Sequence, residues 1–166
     1  MEFSFVQPCV SADATAHLAR IIPATLFQAS LECEHGTVRI EHVALWTEDL
    51  DKCQRFYVEY FGAVAGARYR NEAKGFESVF LSFGGGARLE IMRTTSFTPV
   101  VIAPGAQRLG LTHLAISVGS EQLVDTLSAR LRSDGFSILD GPRRTGDGYY
   151  ESVVLDPDGN RVEITV

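Results

Sequence analysis

The feature that most constrains the fold of this chain is an internal repeat. The segment Ile-Glu-His-Val-Ala-Leu at 40–45 matches Leu-Thr-His-Leu-Ala-Ile at 111–116. Later in each half, Ala-Arg-Leu-Glu-Ile-Met at 87–92 matches Asn-Arg-Val-Glu-Ile-Thr at 160–165. Two pairs of matched segments in the same order predict two copies of one structural module.

One histidine and one glutamate recur almost in register within this repeat. His42 precedes His113 by 71 residues, and Glu90 precedes Glu163 by 73 residues. Each of the four stands at a strand position that alternates away from flanking valine, isoleucine and leucine residues. If helices cover the apolar face of each sheet, the four side chains line the opposite, concave face.

The local patterns give both modules the same element order. In the first module we predict a strand at 38–46, an amphipathic helix at 50–62 that ends at Gly62, and strands at 63–70, 76–83 and 87–92. In the second we predict a strand at 110–118, a helix capped by Ser120 and Gly135, and strands at 136–141, 149–155 and 160–166. This order, β-α-β-β-β twice, predicts an α+β fold.

The predicted domain organisation follows from where the repeat begins. Module one spans 38–92, a Thr-, Pro- and Gly-containing linker spans 93–108, and module two spans 109–166. Residues 1–37 are an N-terminal appendage, in which Pro23 interrupts the only helical pattern. Its His17 and its Cys33-Glu34-His35 cluster have no second cluster at a matching spacing, so we expect no metal site there.

Composition excludes several classes of partner. The net charge of −6 and the pI near 5.2 provide no broad basic surface for nucleic acid or anionic membranes. No apolar run approaches the roughly 20 residues that a membrane helix needs. The three scattered cysteines predict neither a disulfide framework nor a thiolate zinc site. We therefore expect a cytoplasmic protein that acts on a small-molecule substrate.

Two imidazoles and two carboxylates predict a metal centre. His42, Glu90, His113 and Glu163 would together bind one divalent ion, Ni²⁺, Zn²⁺, Mn²⁺ or Co²⁺, with Fe²⁺ less expected and Ca²⁺ unsuited. The rival interpretation makes the histidines hydrogen-bonded core residues and pairs the two glutamates with the arginines two positions earlier. A cation would offset the cost of burying carboxylates, which favours the metal centre.

The repeated module, its four potential ligands and the hairpin Asp-Pro-Asp-Gly-Asn at 156–160 resemble the vicinal oxygen chelate superfamily. Glyoxalase I, extradiol dioxygenases, and fosfomycin and bleomycin resistance proteins belong to it. The resemblance covers residues 38–166 and implies tandem modules whose curved mixed sheet surrounds a metal site. A glutamate at the end of the first module is similar to the His-Glu-His-Glu pattern of bacterial glyoxalase I.

That resemblance implies a metal-dependent lyase or isomerase that works through a metal-stabilised enediolate. Glu163, or Glu90 by pseudo-symmetry, would act as the general base. Glyoxalase I enzymes tend to carry arginine and asparagine for glutathione where this chain has Trp46 and Thr94. These two residues would contact the substrate instead, and the thiol carrier would be different or absent.

Two other functions remain open at the level of the sequence. A non-haem iron dioxygenase would use His42, His113 and Glu163 and leave Glu90 without a role. A binding protein of the bleomycin resistance type would sequester a drug without metal, and would need none of the four ligands. Assembly is also open, because the modules can surround one site within a chain or exchange between the two chains of a homodimer.

Overall fold

The computed structural model describes residues 38–96, 106–107 and 109–166. Residues Ile40–Val166 form one compact unit. The appendage at 1–37, with His17 and the Cys33-Glu34-His35 cluster, lies outside the described residues, as does most of the predicted linker. None of the helices described is long and apolar enough to cross a membrane.

The first module forms a five-stranded sheet covered by one helix. Its elements are β1 (His42–Trp46), α1 (Leu50–Phe61), β2 (Val64–Ala65), β3 (Tyr69–Asn71), a 3₁₀ turn (Glu72–Lys74), β4 (Phe76–Ser82) and β5 (Arg88–Thr94). The strand order is β1-β5-β4-β2, and β3 also pairs with β4. The β1–β5 pair is parallel and the other pairs are antiparallel. The strand that carries the histidine therefore lies beside the strand that carries the glutamate.

The second module repeats this arrangement with four strands. Its elements are β6 (Leu114–Ser117), α2 (Glu121–Ser133), β7 (Ile138–Arg144), β8 (Tyr150–Leu155) and β9 (Arg161–Thr165), in the sheet order β6-β9-β8-β7. Strand β6 is parallel to β9, as β1 is to β5. The predicted α+β class and the repeated module are thus confirmed, with a separate mixed sheet for each module in the described chain.

Three strand predictions in module one differ from the structure by two residues or more. The strand predicted at 38–46 begins only at His42. The strand predicted at 63–70 is divided into β2 and β3, because Gly66 leaves the regular ladder and its N–H donates to the carbonyl of Phe80 at 2.8 Å. Strand β5 continues to Thr94, two residues past the predicted module end, where it pairs with Phe76. Periodicity alone gives neither break nor extension, since both depend on the neighbouring strand.

The helix boundaries follow from their caps. The Asp49 carboxylate accepts from the N–H of Lys52 at the start of α1, and Gly62 ends that helix with φ of 66°. The Ser120 hydroxyl accepts from the N–H of Leu123 at the start of α2 as predicted. The predicted C-cap of α2 is wrong by one residue, since Asp134 is the cap and Gly135 adopts the left-handed conformation after it.

One apolar core draws on both modules. The buried face of α1 contributes Leu50, Cys53, Phe56 and Tyr57, and it packs in the same cluster as Val124 and Leu131 of α2 and inward residues of both sheets. The ring centroids of Phe56 and Phe136 lie 5.0 Å apart. Because the helices occupy this side, the opposite face of each sheet is left for a functional site.

Candidate metal centre

The parallel pair of β1 and β5 brings His42 next to Glu90. Ala44 is the register partner of Glu90. His42 is two residues before Ala44 on β1, so the side chains of both are on the same face of the sheet. The Nε2 atom of His42 lies 3.8 Å from Oε2 of Glu90, with the two side chains 40% and 15% exposed. This pair, called the first half-site below, lies on the sheet face opposite the helices.

The second module builds the same pair from β6 and β9. Ala115 is the register partner of Glu163, just as Ala44 is of Glu90. The Nε2 atom of His113 lies 3.4 Å from Oε2 of Glu163, and the side chains are 43% and 16% exposed. Histidine and glutamate therefore occupy equivalent places in both modules, and we call this pair the second half-site.

The described chain does not gather the two half-sites into one group. Among residues 38–96, 106–107 and 109–166, the single cluster of three or more potential ligand atoms within 4.8 Å of one another is Cys53, Asp156 and Asp158. In the described residues the four predicted ligands therefore stand as two separate pairs, one in each module.

The sheet edges next to the half-sites carry no further strand among the described residues. Strand β1 pairs with β5 and ends its sheet, and β6 likewise ends the other sheet, in the part of the chain that the structure describes. Exposed apolar side chains precede each of them at matching positions, Val38 and Ile40 before His42, and Leu109 and Leu111 before His113. Exposed apolar residues beside an unpaired edge are typical of a surface that another chain covers.

The cluster of Cys53, Asp156 and Asp158 has a structural explanation. The Asp156 carboxylate accepts hydrogen bonds from the Tyr57 hydroxyl at 3.0 Å, the Asn160 amide at 3.0 Å, and the backbone N–H groups of Asp158 and Asn160 at 3.0 and 2.8 Å. Burial raises the pKa of the Cys53 thiol, which keeps it protonated. These bonds occupy the acceptor sites that a metal would need, so the cluster fixes the hairpin between β8 and β9.

The donor sets of the half-sites suit a divalent transition metal. Two ligand atoms of one ion, at bond lengths of about 2.1 Å and an angle of about 90–110°, lie about 3.0–3.5 Å apart. The distances of 3.4 Å in the second half-site and 3.8 Å in the first are close to that spacing. Each half-site would supply one nitrogen and one oxygen ligand with little rearrangement.

The rival pairing of these glutamates with nearby arginines is wrong for the first half-site. Arg88 donates to Glu41 rather than to Glu90, and its guanidinium lies 4.1 Å from the centroid of the Phe80 ring. In the second half-site, burial and the negative charge of Glu163 raise the pKa of Glu151, while Arg143 opposes that shift.

The predicted substrate contacts stand on the same face as the first half-site. Trp46, 42% exposed, meets Phe76 edge-to-face with centroids 6.1 Å apart, and Tyr69, 56% exposed, lies 6.1 Å from Phe76 on the other side. The Thr94 hydroxyl is 3.0 Å from that of Ser96. We call Trp46, Phe76 and Tyr69 the aromatic strip.

Sequence reasoning missed several residues of this region. Phe76 lies on β4 and Tyr69 on β3, and ring contacts connect them to Trp46 of β1 across β5. Glu41 precedes the first residue of β1, and its carboxylate lies beside Nδ1 of His42. The signal that could have identified Glu41 is its position directly before a ligand histidine, where module two has threonine. For the aromatic strip, the signal was the presence of an aromatic residue on each of two predicted strands, at positions 69 and 76.

Comparisons with known proteins agree with this architecture. The uncharacterized protein YqjT of Bacillus subtilis (strain 168) is 25% identical over 129 residues, which are 75% of this chain and 96% of YqjT. The trypanothione-dependent glyoxalase I of Leishmania major is 25% identical, with a TM-score of 0.61 over 78% of this chain and 86% of that one. A glyoxylase/bleomycin resistance protein/dioxygenase domain from Frankia sp. EAN1pec is 22% identical, with a TM-score of 0.65 over 79% of this chain and 98% of that one.

The family match covers nearly all of the compact unit. The family model described as Glyoxalase/Bleomycin resistance protein/Dioxygenase superfamily matches residues 39–164. Both half-sites and nearly all of both modules lie inside that range. The chain therefore belongs to this superfamily, the vicinal oxygen chelate proteins, as its repeat of histidine and glutamate predicted.

Proposed function

We propose that this protein is a metal-dependent lyase or isomerase of the glyoxalase I type, active as a homodimer. Each metal site would combine His42 and Glu90 of one subunit with His113 and Glu163 of the partner subunit. The observation that carries the proposal is the pair of equivalent half-sites, each with one nitrogen and one oxygen donor on an open sheet face. The exposed edge strands supply the surface across which two copies would meet.

The proposed substrate is a small α-oxo or α-hydroxy compound, or a thiol adduct of one. A bound divalent ion would stabilise the negative charge that develops on the substrate oxygens. Glu163 would remove a proton from one carbon and return it to the neighbouring carbon, so that the substrate isomerises without net oxidation. Glu90 occupies the equivalent position in the other module and would take the same role for the opposite face of the substrate.

Metal analysis with matched variants tests the site. We expect protein purified without chelators to contain about one Ni, Zn, Mn or Co per chain, and Glu163→Gln and His113→Ala to lose both the metal and turnover of a hemithioacetal. Glu151→Gln, next to the site but outside the ligand set, is the control that should keep the metal. Full metal content and turnover in the two ligand variants would contradict the proposal.

A drug-binding protein is a second candidate, favoured by the aromatic strip. Exposed aromatic side chains on an open sheet can stack on a planar ligand without metal. If the wild-type protein neither contains metal nor takes up any of the four ions, and a planar drug quenches the fluorescence of Trp46, this second function replaces the first. Trp46 is the only tryptophan of the chain, so the signal is specific.

A further inference from the structure

The two half-sites differ in what holds the histidine. In the first half-site, Nδ1 of His42 lies 2.5 Å from Oε2 of Glu41. In the second, Nδ1 of His113 lies 3.2 Å from the hydroxyl of Thr112, the equivalent position. A carboxylate only accepts hydrogen bonds, whereas a hydroxyl can donate or accept, so the two contacts constrain the imidazole differently.

The Glu41 carboxylate is itself held in place. Its Oε1 accepts from Nε of Arg88 at 2.8 Å and also from Nη2 of that residue, which leaves Oε2 for His42. The backbone N–H of Arg88 donates to the carbonyl of Glu41 at 3.0 Å, which ties the start of β1 to β5. Two donors of one guanidinium hold this carboxylate oxygen in place.

An aromatic ring completes this arrangement. Phe80 lies edge-to-face with the His42 ring, with centroids 5.4 Å apart, and the guanidinium of Arg88 stacks on its face. Glu41, His42, Phe80 and Arg88 thus form a closed ring of contacts. Module two has arginine at the position of Arg88 but valine opposite Glu163, where module one has Phe80 opposite Glu90.

We propose that Glu41 is the positioning residue of His42, keeping the proton on Nδ1 so that the Nε2 lone pair faces Glu90, and that the first half-site consequently holds the metal more firmly than the second. The metal part of this inference rests on the proposed function. The tautomer part rests only on the contacts of Glu41. An outer carboxylate of this kind fixes the ring orientation and tautomer of a ligand histidine.

The tautomer is tested first, on metal-free protein. Imidazole ¹⁵N spectra at a pH where histidines are neutral should assign the proton of His42 to Nδ1, and Glu41→Met should move it to Nε2, the usual tautomer of free histidine. Thr112→Val is the matched control and should leave His42 unchanged. A proton on Nε2 in the wild type, or a spectrum of His42 that Glu41→Met does not alter, would overturn the assignment.

Metal affinity is tested next, by competition with a chelator for Ni²⁺ or Zn²⁺. We expect Glu41→Met to weaken binding about 10-fold or more, Glu41→Gln, which can still accept from Nδ1, to weaken it less, and Thr112→Val to weaken it by less than about 3-fold. Equal losses for Glu41→Met and Thr112→Val would refute the difference between half-sites. If the wild type binds neither ion, the proposed function fails, while the tautomer spectra still decide the role of Glu41.

Discussion

At the scale of single residues, the side chains nearest the half-sites decide what substrate could bind. The first module presents an apolar surface, the aromatic strip, while the second presents charged groups, including Glu151 and the Arg143–Asp140 ion pair. A metal site that combines a first half-site with a second half-site would contact an apolar arm of the substrate on one side and polar groups of the substrate on the other. Under the proposed function, we expect a substrate with an aromatic or bulky apolar end.

Replacing Trp46 should therefore change substrate preference. We expect Trp46→Ala to raise KM about 3–10-fold for a hemithioacetal with a phenyl group, and less for one with a methyl group, because an aromatic contact contributes about 0.5–1.5 kcal/mol. Steady-state kinetics with both substrates provide the measurement, and Val58→Ala, on the outer face of α1, is the control. An equal rise for both substrates would mean that Trp46 does not contact the apolar arm.

At the scale of elements, a buried hydrogen bond fastens α1 to the β8–β9 hairpin. Burial raises the pKa of Asp156 above its ordinary value of 3.8, and hydrogen bonds from Asn160 and Tyr57 oppose the rise. Protonation of Asp156 is thus easier in the folded state than in the unfolded chain. The stability that this group contributes is fully present below about pH 4 and falls as the pH rises through the raised pKa.

Tyr57→Phe should make that decline steeper. Loss of one opposing hydrogen bond raises the pKa of Asp156 further, so we expect the variant to lose about 1–2 kcal/mol of unfolding free energy at neutral pH and less at about pH 4. Urea unfolding at the two pH values gives both differences. A loss that is the same at both would show that the hydrogen bond does not depend on the charge of Asp156.

A glycine in β7 is required for the close approach of β8. Gly141 has φ of 77°, and a Cβ atom there would lie 2.4 Å from the carbonyl oxygen of Glu151 and 2.9 Å from Cα of Ser152. Gly135 has φ of 91°, and nothing lies within 4 Å of a Cβ atom built there. Its substitution by alanine therefore measures backbone strain without a clash. We expect Gly135→Ala to cost about 1–2 kcal/mol and Gly141→Ala about 1–3 kcal/mol more, measured by chemical denaturation. Equal costs would contradict the clash.

At the scale of the whole molecule, subunit complementation distinguishes a shared site from one within a chain. If each site takes one half from each subunit, co-expressed His42→Ala and His113→Ala chains form heterodimers with one intact site and one doubly altered site. Random pairing would restore about one quarter of wild-type metal content and activity. Each variant alone should be inactive, and a mixture that stays inactive would exclude the shared site.

Much of this architecture could be predicted from the sequence because the two copies of the repeat can be compared position by position. Matched positions such as His42 and His113 predict the element order of both modules and the candidate ligands without any structure. What could not be predicted depends on contacts between strands. The break at Gly66, the association of Phe76 with Trp46, and the turn of Glu41 toward His42 are all set by neighbours distant in sequence or by the end of regular pairing.

The bond from Tyr57 to Asp156 has a consequence for how this chain can be divided. It joins the helix of the first repeat to the hairpin of the second, inside a core that both repeats supply. Each repeat alone would expose its part of that core, and the second repeat would lose the Tyr57 donor of its Asp156 carboxylate. If the repeat arose by duplication of a unit that paired with an identical copy, fusion would have made each repeat depend on the other. We therefore expect the two halves to melt in a single transition.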